Sequence, residues 1–75
     1  MPAHSRAVLE QMLPAAQNHV AGGAERIRAQ EGRVAALERK GLGDQAKRLL
    51  AVFKQTQALQ MEHVELLKRE LAAPD

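Results

Sequence analysis

The stretch Arg39-Lys40-Gly41-Leu42-Gly43-Asp44 constrains this chain more than any other. Glycine just past a helix end adopts the left-handed conformation that side-chain-bearing residues resist. Aspartate at an N-cap accepts a hydrogen bond from the free N–H groups of the next turn. Arg39 and Lys40 fall in a closing turn, where cations suit the negative end of the helix dipole. One helix therefore ends near Lys40 and a second starts near Asp44. The loop between them allows only an antiparallel return. The expected fold is all-α, an antiparallel two-helix hairpin with helices over about 15–40 and 44–72.

Composition agrees. The 75 residues allow one small domain, and with one Phe and no Trp or Tyr the core must come from Leu, Val, Ile, Ala and Met. No stretch alternates as a strand would. Cysteine is absent, which excludes disulfides and thiolate metal sites. There is no apolar leader segment at the N-terminus and no run approaching a membrane span, so the expectation is a cytoplasmic protein without membrane contact.

Residues 1–13 read as a separate N-terminal segment, either a short helix capped by Ser5 or a mobile stretch, with the hairpin occupying 14–73. Pro14 interrupts the short helix, because proline lacks the amide donor and disfavours helical geometry at Leu13, and reads as the first turn of the main helix or as a kink leading into it. Beyond it, Leu13, Val20, Ile27 and Val34 recur every seven residues, with Ala16, Gly23, Gln30 and Leu37 three positions later. This is a thin heptad seam. Gly22 and Gly23 each cost about 1 kcal/mol relative to alanine in a helix interior. Gly23 lies on the seam, where a missing side chain admits a closely approaching partner. Gly22 and Gly32 lie off it.

The second helix is more apolar. Ala46, Leu49, Leu50, Phe53, Gln57, Gln60, Val64, Leu67 and Leu71 form one stripe, and Val52, Leu59 and Leu66 extend it to a second side. One partner helix covers only the face it packs against. The surplus predicts a homodimer, two hairpins forming an antiparallel four-helix bundle around Val20, Ile27, Val34, Leu37, Leu50, Phe53, Val64 and Leu67. A lone hairpin of this size also lacks a sufficient core.

The run from His19 to Gln30, His-Val-Ala-Gly-Gly-Ala-Glu-Arg-Ile-Arg-Ala-Gln, resembles a pattern in short uncharacterised proteobacterial helical-hairpin proteins. So does the turn followed by Ala46, Leu49, Leu50, Phe53, Thr56, His63, Leu66 and Leu67. The resemblance covers about residues 18–71. It implies a helical hairpin of bacterial cytoplasmic origin and no particular activity.

Symmetric pairing about the turn places Leu37 beside Lys47, Val34 beside Leu50, Ile27 beside Gln57 and Val20 beside Val64. Gln30 then approaches Phe53 or Lys54, while Gln57 and Gln60 face the segment from Gly23 to Ile27. Buried amides need partners, so these glutamines predict a polar layer that sets register and oligomer state. The same pairing brings His19 near His63, with Glu62 and Glu65 close in sequence. Two imidazoles and a carboxylate are zinc or copper ligands, but no diagnostic ligand spacing accompanies them. Packed edge histidines are the simpler reading, and neither a metal nor any other cofactor is expected.

Ser5 is the only serine, no phosphate-binding loop is present, and no residue pattern indicates catalysis. The basic turn end offers Arg39, Lys40, Lys47 and Arg48 to phosphates, which makes a nucleic-acid-binding regulatory protein the alternative reading. Stacking aromatics and a helix-turn-helix signature are both missing. The leading expectation is a non-enzymatic protein-interaction module, an adaptor or regulator with an unidentified protein partner. A metal-binding bundle using His19 and His63 is the second alternative.

Overall fold

The computed structural model describes residues 5–73. It contains two long helices packed against each other, α1 (Arg6–Glu38) and α2 (Asp44–Ala72). Together they form a rod of 57 × 15 × 13 Å.

The turn closes as the glycine pattern requires. Gly41 has φ +74 and is the only described residue with positive φ. Its N–H donates to the Glu38 carbonyl at 3.0 Å, and the Leu42 N–H donates to the Leu37 carbonyl at 2.9 Å. This pair of bonds is a Schellman motif, which satisfies carbonyls that the helix end would leave open. Asp44 does not cap α2. Gly43 takes the N-cap position without a side-chain bond, and Asp44 is the first helical residue. Gly43 is needed there because its backbone lies on Glu38. A Cβ at that position would stand 2.6 Å from Glu38 Cγ. Asp44 still places its negative charge in the first turn, where the helix dipole favours it.

Pro14 is a correction to the expected boundary. It lies inside α1, which runs without interruption from Arg6, and residues 6–13 belong to the hairpin. The rest of the expectation for the N-terminal segment concerns residues 1–4, outside the described residues. Ser5 is the N-cap as expected, its hydroxyl accepting from the Val8 N–H at 3.3 Å. Two facts explain why proline is tolerated. Pro14 and Glu10 are exposed, so water can reach the Glu10 carbonyl that loses its partner. Leu9, one turn earlier, is only 1% exposed and packs with Ala16, Val64 and Leu67, backed by Met12, Leu13, Val20 and Leu71. Burying Leu9 is worth about 1.5–3 kcal/mol, comparable to the proline penalty of about 3 kcal/mol. The Arg6 guanidinium adds a bond to the Leu71 carbonyl at 3.1 Å, joining the two helices at the open end.

The core thus sits at the end away from the turn. Within the hairpin Val34, Val64 and Leu67 are buried, and Val20, Ile27, Leu37, Leu50 and Phe53 are half-buried. Leu9, Ala16 and Ala46 complete the buried apolar set.

Gln30 and Gln57 each reach a backbone carbonyl of the other helix, at two separate levels of the rod rather than in one layer. Gln30, 2% exposed, donates from Nε2 to the Ala46 carbonyl at 3.0 Å and accepts from Arg33 at 3.4 Å. It reaches Ala46 and not the expected Phe53 or Lys54. The physical reason is the asymmetric reversal at the turn. Gly43 folds back onto Glu38, so α2 begins alongside the last turns of α1 rather than beyond them. Gln57 donates from Nε2 to the Val20 carbonyl at 2.8 Å, and not beside Ile27. Its amide lies over Gly23, where a Cβ would collide with the Gln57 carbonyl oxygen. Gly23 is therefore the close approach that its seam position implied. Gly32 has open space around it.

Candidate functional site: one apolar face of the hairpin

The two long faces of the rod differ. On one, α1 carries the i, i+3/i+4 row Val8, Met12, Ala15, His19, Gly22 and Arg26. Alongside it, α2 carries Leu49, Val52, Thr56, Leu59, His63 and Leu66, an alternating three-and-four spacing that keeps them on one side. A shallow groove joins the rows. His19, Gly23, Arg26, Val52, Phe53, Thr56 and Gln60 line its middle. Met12, Ala15, Ala16, His19, Gln60 and His63 line its continuation toward the open end. Val52 in this groove is exposed, as are Val8 and Leu49 in the same rows, and Leu59, at 67%, and Leu66 carry the α2 row onto the helix's outer surface. The opposite face is more polar: Gln17, Glu65 and Lys68 flank Val20, Val64 and the exposed Met61, which also borders the outer surface of α2 with Leu59 and Leu66.

The sequence marked the α2 half of this face through Val52, Leu59 and Leu66. It did not mark the α1 half, whose Ala15, His19 and Gly22 do not read as an apolar row. Only the axial position of α2 against α1 reveals them as one surface.

His19 and His63 do line the same hollow. Glu62 and Glu65 lie along the outer surface of α2, which His63 also borders and His19 does not, and Glu65 pairs there with Lys68 at 3.5 Å. Among the described residues no group of three or more His, Cys, Asp or Glu stands close enough to hold a metal ion.

At the turn, Lys47 pairs with Glu38 at 3.3 Å, with both side chains about half-exposed. Arg39, Lys40 and Arg48 are exposed. The four candidate phosphate contacts thus comprise one engaged lysine and three open cations on a tip that holds no aromatic residue. No described helix is long and apolar enough to cross a membrane.

Comparison with known proteins finds no matching family model, no matching curated protein and no matching solved structure.

Proposed function

We propose that this chain is a small non-enzymatic interaction module that works as a homodimer, two hairpins closing their apolar faces into a four-helix bundle in the cytoplasm. One observation carries the reading. Leu49, Val52, Leu59 and Leu66 are all exposed along one three-and-four row of α2, with Val8 exposed on α1, and Leu59 and Leu66 continue onto the outer surface of α2 that Met61 shares. Scattered exposed apolar side chains are ordinary, but a contiguous row along a helix pair marks a contact surface.

The area supports it. The chain exposes 5640 Å². A compact monomer of 8.2 kDa exposes about 4,500 Å². Removing that surplus from two chains buries about 2,200 Å², within the range of stable homodimers. The buried polar groups serve the hairpin itself: Gln30 and Gln57 hold backbone carbonyls rather than converging on a cleft. The ends and polar faces of the bundle remain to meet a protein partner.

The test is a matched pair of substitutions. Leu59 and Met61 are both more than half exposed in the hairpin, so neither change removes a buried contact of the single chain. Leu59→Glu should reduce the sedimentation mass from dimer to monomer at micromolar protein, and Met61→Glu should leave the dimer intact. Equal effects, or none, would reject the apolar face as the contact.

The turn end gives the nucleic-acid reading its one specific support, the open cations Arg39, Lys40 and Arg48. On that reading, binding to duplex DNA would weaken with salt at a slope of about −0.9 in log K per phosphate contact.

A further inference from the structure

Two hairpins can close their apolar faces in two ways. With the two-fold axis along the rod, both turns lie at one end and α2 packs on the partner's α1. With the axis across the rod, the turns lie at opposite ends and each helix packs antiparallel on its own copy. We propose the second arrangement: the occupant of the apolar face is another copy of this chain, docked head to tail. The inference rests on the dimeric reading above and adds the geometry of the contact.

Charge decides between the two. The rod divides near its middle into a turn half, residues 26–54, and an open half, residues 5–25 with 55–73. The turn half holds eight Lys/Arg against three Asp/Glu, and the open half three against five. The asymmetry continues on the apolar face. Arg26 and Arg33 extend the Met12–His19 row toward the turn, and Glu70 extends the Leu49–Thr56–His63 row toward the open end. Head-to-head docking would set Arg33 of each copy toward Arg48 of the other, with Arg26 nearby, in a region that docking partly dries. Like charges so placed cost several kcal/mol in protein contacts. Head-to-tail docking lays the positive half of each copy over the negative half of its partner.

The apolar row fits this arrangement. Its α2 part runs from Leu49 to Leu66, so its midpoint falls between Gln57 and Ala58, beside the middle of Asp44–Ala72. A two-fold axis there superimposes the full length of both rods and sets Leu49 toward the partner's Leu66 and Thr56 toward the partner's Leu59. At the same level on α1, Gln57 bonds to Val20 and covers Gly23. The α1 helices therefore cross near His19 and Gly22, where small neighbours such as Ala15 permit close approach.

The consequence is a two-ended rod. Each end carries one copy of Arg39, Lys40 and Arg48, and the two tips stand about 50 Å apart on a rod 57 Å long. Such a molecule contacts two separate acidic sites and cannot merge its tips into one broad basic surface.

Because the chain lacks cysteine, one label reports the geometry. Lys40→Cys in the full chain, carrying a nitroxide, is measured by pulsed dipolar spectroscopy beside sedimentation equilibrium of the same sample. Head-to-tail docking gives dimer mass and a label distance of about 50 Å on a rod 57 Å long. Dimer mass with labels within about 20 Å, the width of adjacent hairpins, overturns the arrangement and leaves the dimer standing. Monomer mass without dipolar coupling overturns both. Salt supplies an independent sign. Raising sodium chloride from about 50 to 500 mM should weaken a head-to-tail dimer several-fold as attraction is screened, and a dimer that tightens instead contradicts the proposal.

Discussion

Gly23→Ala separates close packing from ordinary helix propensity. Alanine in place of glycine stabilises a helix interior by about 1 kcal/mol. At Gly32 nothing stands within 4 Å of the added Cβ, so Gly32→Ala should show that gain in full. At Gly23 the Cβ would collide with the Gln57 carbonyl oxygen and come within 3.0 Å of its Cδ. The Gln57 amide must then withdraw, losing its 2.8 Å bond to the Val20 carbonyl. A part-buried amide left without a partner costs about 1–3 kcal/mol. The net effect of Gly23→Ala is therefore between neutral and a loss of about 2 kcal/mol. Relative to Gly32→Ala, the deficit is about 1–3 kcal/mol. Thermal unfolding followed by circular dichroism resolves this, since about 1 kcal/mol moves Tm by roughly 4–8 °C in a domain of this size. All variants must be compared at one protein concentration, because dimer stability depends on it. Gly23→Ala combined with Gln57→Ala removes the collision, so the alanine at position 23 should then stabilise. Equal gains from Gly23→Ala and Gly32→Ala would refute the close approach.

Other expectations follow from the same geometry. Leu9→Ala should cost about 2–5 kcal/mol, as should Leu67→Ala, since each is 1% exposed in one cluster; a neutral Leu9→Ala in denaturant titration would detach residues 6–13 from the fold. Pro14→Ala should raise stability by up to about 3 kcal/mol, because it restores one helical bond in a helix that already runs through the site; a loss on thermal melting would mean the proline has a specific role. Replacing Arg39, Lys40, Lys47 and Arg48 with Gln should leave the helical circular dichroism signal intact, and tight DNA or RNA binding at physiological salt that this change abolishes would favour the nucleic-acid reading. Calorimetric titration with zinc or copper should show no site tighter than about micromolar, and one lost in His19→Ala or His63→Ala would restore the metal reading.

What the sequence made legible tracks the range of the forces involved. Gly41 was readable because a left-handed helix end is a local demand that one residue type meets cheaply. Asp44 was displaced by one position because Gly43 answers to Glu38, a tertiary contact. Pro14 was misjudged for a similar reason: its penalty is local and visible, whereas the burial of Leu9 against Val64 and Leu67 appears only once the helices are paired. The seam glutamines announced a polar layer, but their partners and levels depend on where α2 starts beside α1. The apolar face was half legible. Large residues at Val52, Leu59 and Leu66 mark a row on α2, while Ala15, His19 and Gly22 become part of it only by adjacency.

The central claim is that the exposed apolar face is closed by a second copy of the chain. Sedimentation equilibrium of the unmodified protein, over about 1–100 micromolar and beside helical circular dichroism, tests it most directly. The account predicts a mass twice 8.2 kDa, with helicity and dimer lost together on dilution or heating. A particle of 8.2 kDa that stays helical and melts cooperatively would contradict it.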